Sequence, residues 1–279
     1  MAARVQVERE LKSDAFGRVE LLGDSETGER RIRRVAAGGG VPGSGIVARV
    51  LLRREARALR ALAALPGVPT LCSEEAWGRA PSLDGSAPPT EQVLVRSFVA
   101  GTPLHLAEVL PEDFFELLEQ LVRSVHAEGI CHNDLHKEQN VMVAADGRPA
   151  LIDFQLASCH TERGRSFETR CRDDLRHVHK HLRRYTRDGR GPALHGSAGA
   201  RPGPRLPRSR TAQLWRRTGK PLYNLVTRGL LGTRDGEQRR DSSGPWPSWS
   251  APLGPIGPGG TGEFGSAGSS AGSDHDREH

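Results

Sequence analysis

The sequence predicts an α+β protein folded as two lobes and followed by segments with less structure. Strand-type and helix-type patterns alternate over residues 1–185, and a stretch rich in Gly, Pro and Arg occupies residues 186–210. Beyond residue 233 the chain consists mainly of Gly, Ser, Pro and charged residues. Hydrophobic residues make up only 36% and aromatic residues 5% of the 279 residues. This composition indicates that only part of the chain packs into a core.

The first predicted elements are a strand hairpin and a long helix. The segments AFGRVELL and ERRIRRVA are typical of strands, and the intervening GDSETG has the composition of a tight turn. A helix is predicted from about Ile46 to Leu65, where a Pro-Gly pair ends it. Glu55 falls on the same helix face as the leucines. Because a carboxylate inside an apolar stripe needs a cationic partner, we expect Glu55 to form an ion pair.

The next predicted elements are a buried strand, a second helix and a second hairpin. The segment QVLVRSFVAGTPL predicts a strand that ends in a Gly-containing loop, and PEDFFELLEQLVRSVHAEGI predicts an amphipathic helix that ends near Gly129. The segment NVMVAADGRPALIDF predicts two strands around an Asp-Gly turn. Between the helix and this hairpin lies a strongly polar loop, CHNDLHKEQN, at residues 131–140.

This polar loop is compatible with two kinds of chemistry. His132, Asp134 and His136 alternate along the chain, as ligands of a transition metal can, but no further cluster of His or Cys follows them. The favoured alternative is phosphoryl transfer from ATP, which needs oxygen ligands for magnesium and a carboxylate that orients the acceptor hydroxyl. In this interpretation Asp134 receives the hydroxyl proton, while Asn140 and Asp153 hold the metal.

The segments HNDLHKEQN and IDFQ resemble the catalytic loop and the metal-binding DFG motif of the protein kinase superfamily. The similarity extends over about residues 8–185 and is greatest to the RIO-like and lipopolysaccharide-kinase-like atypical kinases of bacteria. It implies a two-lobed protein kinase-like fold, with an N-lobe and hinge at residues 1–99 and a reduced C-lobe at residues 100–185. It also implies ATP as the phosphoryl donor and Mg²⁺, or Mn²⁺ in its place, as the metal.

The resemblance assigns nucleotide-binding roles to residues of the predicted N-lobe. The segment LKSDAFGRVEL resembles the loop that covers the nucleotide, with Gly17 as its last glycine and Val19 under the adenine. Glu55 matches the helix glutamate that orients the phosphate-binding cation. The segment LVRSFVAGTPL, which contains Arg96 and Phe98, resembles the hinge that holds the adenine through backbone hydrogen bonds.

Three positions depart from the kinase pattern. The strand that usually carries a lysine reads RRIRRVA, so Arg33 or Arg34 takes the place of that lysine. The catalytic loop is one residue longer than usual, and counting back from Asn140 puts Lys137 at the lysine that steadies the transferred phosphoryl group. Gln155 replaces the glycine of DFG. A side chain there restricts the backbone, so we expect no activation-loop switch of the usual type.

The remaining chain is predicted as four segments. RCRDDLRHVHKHLRRY predicts a basic helix in which Asp173 or Asp174 either caps the helix or braces the catalytic loop from below, with capping as the preferred role. A flexible linker at residues 186–210 precedes a basic amphipathic helix at residues 211–232. That helix either packs on its own domain or lies on an anionic membrane surface. The tail at residues 233–279 is predicted to be disordered.

The predicted function is that of an ATP-dependent phosphotransferase whose acceptor is a protein serine or threonine. One alternative is a kinase of a sugar or lipopolysaccharide hydroxyl. The other is a pseudokinase, which uses its cleft or its fold to regulate a partner.

Composition and charge bear on partners and location. The net charge of +6 suits a polyanion, but the excess comes almost entirely from arginine, and no basic motif with interleaved aromatic residues is present, so no nucleic-acid partner is expected. The four cysteines form no CxxC pair, and the sequence has neither an apolar signal region nor a long apolar run. We therefore expect a cytoplasmic protein, with peripheral membrane contact as an alternative through residues 211–232.

Overall fold

The computed structural model describes residues 4–14, 16–38, 43–73, 75–186, 238–241 and 243–254. It combines helices with antiparallel sheets, including a four-stranded sheet at the N-terminal end, which confirms the α+β prediction. Within this described part, no helix has both the length and the hydropathy needed to cross a membrane. The helix predicted at residues 211–232 and nearly all of the predicted linker lie outside the described residues.

The N-terminal sheet is antiparallel, with neighbouring strands in chain order. Its strands are β1 (Val5–Asp14), β2 (Gly17–Asp24), β3 (Arg30–Ala36) and, later in the chain, β4 (Val93–Ser97). Strands β2 and β3 form the first predicted hairpin. Asp24 closes its turn by accepting hydrogen bonds from the amides of Glu26 and Thr27 at 2.8 and 3.2 Å. Strand β1 has no counterpart among the predicted elements, because its exposed charged residues hide the apolar alternation.

The two faces of this sheet pack against different helices. Side chains alternate between the faces along each strand. Leu94 therefore packs against helix α1 (Ser44–Ala61), while its neighbour Val95 packs with Trp77 of the short helix α2 (Glu75–Arg79). Adjacent residues of one strand consequently have different neighbours. The same holds for the adjacent arginines Arg33 and Arg34 on β3, which are described below.

The second lobe packs two helices against short strands. Helix α3 (Phe114–Ala127) and helix α4 (Arg165–Tyr185) enclose the main hydrophobic core. The strands of this lobe are β5 (Gly101–Pro103), β6 (Val109–Pro111), β7 (Ile130–Cys131), β8 (Val141–Ala144), β9 (Pro149–Leu151) and β10 (Ser158–Cys159). A three-stranded sheet has the order β5-β8-β9, and β7 pairs with β10. Strands β8 and β9 are the second predicted hairpin.

Part of the predicted disordered tail packs on this lobe, so the structure differs there from the sequence prediction. Strand β11 (Ser248–Ser250) runs parallel to β6 and pairs with it. Trp249 packs on the main core, with its ring centroid 6.4 Å from that of Phe115. The tail is polar on average, so its composition does not reveal that Trp249 packs on the core. Residues 255–279 lie outside the described part of the chain.

Candidate active site

The catalytic-type loop between β7 and β8 is held from below by Asp174 of helix α4. The Asp174 carboxylate accepts hydrogen bonds from the backbone amides of His132 and Asn133 at 2.8 and 2.9 Å. It also lies 3.1 Å from Nε2 of His126. Asn133 has a φ of 64°, a left-handed conformation that asparagine tolerates better than most residues. Asp174 therefore fixes a sharp bend just before Asp134.

This role of Asp174 is the bracing alternative given for Asp173 or Asp174, rather than the preferred capping role. Helix α4 begins at Arg165 rather than near residue 170, so both aspartates lie inside the helix. Asp173 makes a half-buried pair with Arg176 at 3.4 Å. The sequence prediction followed the basic residues between 170 and 184 and missed the first turn of the helix, in which Phe167 is buried.

Asp134 is buried, with 2% exposure, and several polar groups surround its carboxylate. His136 Nδ1 lies 3.0 Å from one oxygen, and Lys137 Nζ lies 3.2 Å from the other. The Asn140 side-chain amide donates to the second oxygen at 3.0 Å. Burial alone would raise the pKa of Asp134, but the His136 hydrogen bond and the Lys137 charge outweigh it and lower that pKa below 3.8. Asp134 is thus ionised at neutral pH.

Asp153 is brought next to this loop by the end of strand β9. The Ile152 amide donates to the Asn140 carbonyl at 3.0 Å, and Asp153 follows with a φ of 67°. His132 braces the junction, since its Nε2 lies 3.0 Å from the Ile152 carbonyl and its ring lies 4.6 Å from that of Phe154. The backbone of the loop is therefore tied to the backbone that presents Asp153.

The donor set fits a hard divalent cation. Asn140 uses its side-chain nitrogen on Asp134, so its Oδ1 is the atom left to face a metal. The Asp153 side chain is 27% exposed and offers carboxylate oxygens. Amide and carboxylate oxygens are the ligands that Mg²⁺ takes in proteins, usually together with water and substrate phosphates. The residues present are therefore suited to a magnesium ion carried by a nucleotide.

Arg34 connects the two lobes at this point. Its Nε lies 3.0 Å from Oε2 of Glu55, and its Nη2 donates to Oδ1 of Asp153 at 3.2 Å. Glu55 is completely buried, and the contact with Arg34 is the ion pair that the sequence predicts for it. Of the two arginines proposed to replace the kinase lysine, Arg34 is the one that the structure brings to the site.

Arg33 points to the opposite face of the sheet and does not join this cluster. Its Nε contacts Oε2 of Glu20 at 2.7 Å, and its Nη2 donates to Ser82 Oγ at 3.0 Å. Its Nη1 donates to the carbonyls of Gly78 and Ala80. Arg33 is fully buried and holds the segment after helix α2 against the sheet. The nucleotide-binding role predicted for it as an alternative is therefore not supported by its position.

Arg96 adds a second cation to Glu55, and this contact was not predicted. Its Nε lies 3.4 Å from Oε1 of Glu55. Arg96 was expected in the hinge, but it lies inside β4, where it pairs with Ile32 on one side and Leu71 on the other. Phe98 follows the strand and is partly buried in the connection to β5. Of the two predicted hinge residues, only Phe98 is outside regular pairing.

Gly17 and Val19 lie on strand β2 at the cleft side of the N-lobe. Gly17 has a φ of 131°, and a Cβ atom there would lie 1.9 Å from the carbonyl oxygen of Val35, so no other residue fits. Val19 is paired with Arg34 across the hairpin. Directly opposed residues point to the same face, so Val19 and the Arg34 guanidinium share one face of the sheet.

The transition-metal alternative finds little support in the same region. The His132 ring is committed to Ile152 and Phe154, so it does not converge with His136 on a common point. Among the described residues, the group with metal-ligand spacing is His126, Cys131 and Cys171, below the loop. The two thiols are 3.7 Å apart, and burial raises the pKa of Cys131, which disfavours the thiolate that a metal would need.

Comparison with known proteins agrees with the geometry. The model of the phosphotransferase enzyme family (APH) matches residues 17–161, just over half of the chain. A relative from Streptomyces coelicolor named "Probable SapB synthase" is 33% identical over 182 residues, in an alignment that covers 57% of this chain and 18% of the relative. The chain thus spans less than a fifth of that protein. The family match includes the catalytic-type loop, Arg34, Glu55 and Asp153, and it confirms the prediction of a kinase-type phosphotransferase. This chain belongs to the phosphotransferase enzyme family.

Proposed function

We propose that this protein binds ATP with magnesium and transfers the terminal phosphoryl group to a hydroxyl, with a serine or threonine of a protein as the favoured acceptor, in the manner of RIO-like kinases. The observation that carries the proposal is the Arg34 guanidinium, which contacts Glu55 of one lobe and Asp153 of the other. Asp134 and Asn140 lie beside this link and are hydrogen-bonded to each other. The Ile152 amide bonds to the Asn140 carbonyl, so the backbone that carries Asp153 adjoins the loop, and this supports the proposal.

The two lobes contribute different parts of the chemistry. Asn140 Oδ1 and the Asp153 carboxylate would hold magnesium, which supplies positive charge to the phosphates during transfer. Arg34 would contact phosphate oxygens while Glu55 holds its guanidinium in place. A guanidinium forms two parallel hydrogen bonds more readily than an ammonium does, so it can keep Glu55 and reach a phosphate.

The state of Asp134 indicates how the acceptor is activated. A carboxylate with a lowered pKa is a weak base, so it orients the hydroxyl and takes its proton late in the reaction. Lys137 lies on the same carboxylate and donates to the phosphoryl group as it approaches the acceptor. His136 keeps Asp134 ionised through its hydrogen bond.

Two other functions have an observation in their favour. A pseudokinase is favoured by the pairing of Arg34 with Asp153, because a guanidinium that kept this contact would compete with a metal. A kinase of a sugar or lipopolysaccharide hydroxyl is kept as the second alternative because the Streptomyces relative is named a synthase, a name that does not restrict the acceptor to a protein. Acceptors to be screened therefore include sugars, lipids and biosynthetic intermediates as well as proteins.

The proposal is tested by comparing Asp134→Asn with Asp146→Asn. Asp146 is exposed in the turn between β8 and β9 and makes local contacts with Arg148, a hydrogen bond from the amide and an ion pair at 4.0 Å, so it is a matched control. We expect Mg-ATP to raise the melting temperature of all three proteins. Formation of ADP and of phosphorylated casein from radiolabelled ATP should fall about 10³-fold in Asp134→Asn alone.

The outcomes separate the candidate functions. Binding without any ADP formation by the wild type would establish the binding-module function. The absence of any nucleotide effect on melting would remove the proposal entirely. Turnover with sugars but not with casein would replace the favoured acceptor.

A further inference from the structure

A segment late in the chain contacts the catalytic-type loop directly. We call the described residues between 238 and 254 the C-terminal strap. The backbone amide of Gln238 donates to Oε1 of Gln139 at 3.0 Å, and that of Arg240 donates to Oε2 of Glu138 at 3.2 Å. Consecutive residues of the loop are therefore held by the beginning of the strap, which lies well beyond the region matched by the family model.

Glu138 is the centre of this contact. It lies between Lys137 and Asn140, the two residues to which the proposed function gives phosphoryl and metal roles. Glu138 is fully buried. Its carboxylate accepts a hydrogen bond from the Tyr185 hydroxyl at 2.9 Å and pairs with Nη1 of Arg184 at 3.2 Å. A buried carboxylate is tolerated only while such partners remain in place.

Arg240 organises these partners. Its carbonyl accepts a hydrogen bond from Arg184 Nη2, which steers that guanidinium toward Glu138. Its own guanidinium donates to the carbonyls of Ala107 and Pro245, the latter at 2.6 Å. The same guanidinium lies 5.9 Å from the centre of the Tyr185 ring. Arg240 thus fixes both the ion-pair partner and the hydroxyl donor of Glu138.

The rest of the strap is anchored independently of Arg240. Strand β11 pairs with β6, and Trp249 packs on the main core. At the far end the Asp113 carboxylate accepts hydrogen bonds from the amides of Leu253 and Gly254 at 3.0 and 2.7 Å. Arg240 contacts Glu138 and Arg184 through its backbone amide and carbonyl, which a substitution keeps. Removal of its guanidinium, which anchors this backbone to Ala107 and Pro245, should therefore loosen the contact with the loop without releasing the whole strap.

We propose that the strap is a positioning element for the catalytic-type loop, with Arg240 and Glu138 as its positioning residues. Arg240 holds Glu138, and Glu138 sets the turn that separates Lys137 from Asn140. Because a displacement of about 1 Å in such groups can reduce turnover about a hundredfold, the strap controls kcat without touching the nucleotide. The kinetic part of this inference rests on the proposed function, whereas the ordering of the loop does not.

The experiment compares the full chain with Arg240→Ala, Arg240→Lys and Arg239→Ala. Arg239 is the exposed neighbour and serves as the matched control. Hydrogen–deuterium exchange is followed in peptides that cover residues 134–141, where the amides of Asn140 and Val141 bond within the turn. We expect exchange there to be about tenfold faster in Arg240→Ala, intermediate in Arg240→Lys and unchanged in Arg239→Ala.

Kinetics provides the second readout. In Arg240→Ala, kcat for ADP formation should fall about tenfold to a hundredfold, while KM for ATP changes less than twofold. Unchanged exchange in the loop overturns the inference, and so does faster exchange with unchanged kcat. If Arg240→Ala does not fold, Arg240→Lys carries the same comparison. A wild type without turnover contradicts the proposed function, and the exchange data then decide the positioning role alone.

Discussion

Two neighbouring arginines on β3 show how single positions determine this site. Arg34 shares its strand face with Val19, and its guanidinium joins Glu55 to Asp153. Arg33 faces the other way and is bound to Glu20 and to the segment beyond helix α2. The same residue type therefore has a functional position at one site and a structural position at the next.

Exchanging either arginine should separate these roles. We predict that Arg33→Met lowers the free energy of unfolding by roughly 3 kcal/mol, because the buried Glu20 carboxylate loses the closer of its two arginine partners and keeps only the Arg18 contact at 3.3 Å. Arg34→Met should lower kcat/KM for ATP about a hundredfold with a smaller effect on stability, since Arg96 still contacts Glu55. Urea denaturation and steady-state kinetics measure the two effects.

The exposed Arg30 provides the control for this pair. It contacts Glu8 at the surface, so Arg30→Met should change neither quantity appreciably. A reversed pattern, with activity lost in Arg33→Met and stability lost in Arg34→Met, would show that the faces have been assigned wrongly.

Helix α4 is the element on which the order of the loop depends. It presents Asp174 to the backbone before Asp134, and it presents Arg184 and Tyr185 to Glu138 after it. One helix thus contacts the loop both before and after Asp134. A helix whose apolar face is interrupted by such polar contacts fixes geometry as well as packing.

Removing one oxygen acceptor from this helix should disturb catalysis more than folding. Asp174→Asn keeps the size of the side chain but can accept only through one oxygen, so one of the two backbone amides loses its partner. We predict a kcat about tenfold to a hundredfold lower and a loss of about 1–3 kcal/mol in stability. Asp173→Asn, at the neighbouring half-buried position that pairs with Arg176, is the control. Equal kinetics in the two variants would contradict a bracing role.

Helix α4 also makes the protein sensitive to acid. Burial, together with the Arg176 charge, lowers the pKa of His177 to about 2, and burial lowers that of His181. Both rings are neutral in the folded state but protonate below about pH 6.5 when unfolded. Protons therefore bind preferentially to the unfolded chain, and stability must fall as the pH drops below 6.5.

A single substitution measures this effect. Between pH 7.5 and pH 5, we predict that His177→Gln removes about 1–2 kcal/mol of the pH dependence of the unfolding free energy. Urea denaturation at several pH values provides the measurement. Arg172→Gln, at an exposed position of the same helix, should leave the slope unchanged. If the unfolding free energy of His177→Gln depends on pH as steeply as that of the wild type, the lowered pKa of His177 in the folded state is contradicted.

At the scale of the whole molecule, the two lobes meet through opposite charges. Arg34 and Arg96 belong to the N-terminal sheet and Glu55 to its helix, while Asp153 and Asp134 belong to the second lobe. In the proposed function, the carboxylates of Asp134 and Asp153 would repel an uncomplexed triphosphate. A divalent ion held by Asn140 and Asp153 would offset that repulsion.

Metal removal should therefore abolish most of the stabilisation by nucleotide. At an ATP concentration about 100 times its Kd, Mg-ATP should stabilise the protein by about 2.7 kcal/mol. ATP with EDTA should give less than a third of the corresponding rise in melting temperature, and AMP serves as the control ligand without the outer phosphates. An equal shift with and without metal would place the triphosphate away from Asp153.

Local patterns predict much of this molecule, and tertiary contacts account for the rest. The two hairpins and helices α1 and α3 follow from turn chemistry and apolar spacing, and the loop chemistry around Asp134 follows from residue type. The choice between Arg33 and Arg34 was also accessible, because the hairpin register pairs Val19 with Arg34. The contacts of Asp174 and Arg240 join residues far apart in the chain. The sequence offers bracing by Asp173 or Asp174 as an alternative but cannot choose between the two residues, and no local pattern indicates the contacts of Arg240.

The pairing of β11 with β6 sets an order of events during synthesis. The edge strand Val109–Pro111 emerges from the ribosome well before its partner Ser248–Ser250. At about 5–20 residues per second, the delay is on the order of ten seconds, and during it the backbone groups of that edge are open to other chains. The edge is only three residues long and ends in proline, features that discourage association with a neighbouring nascent chain.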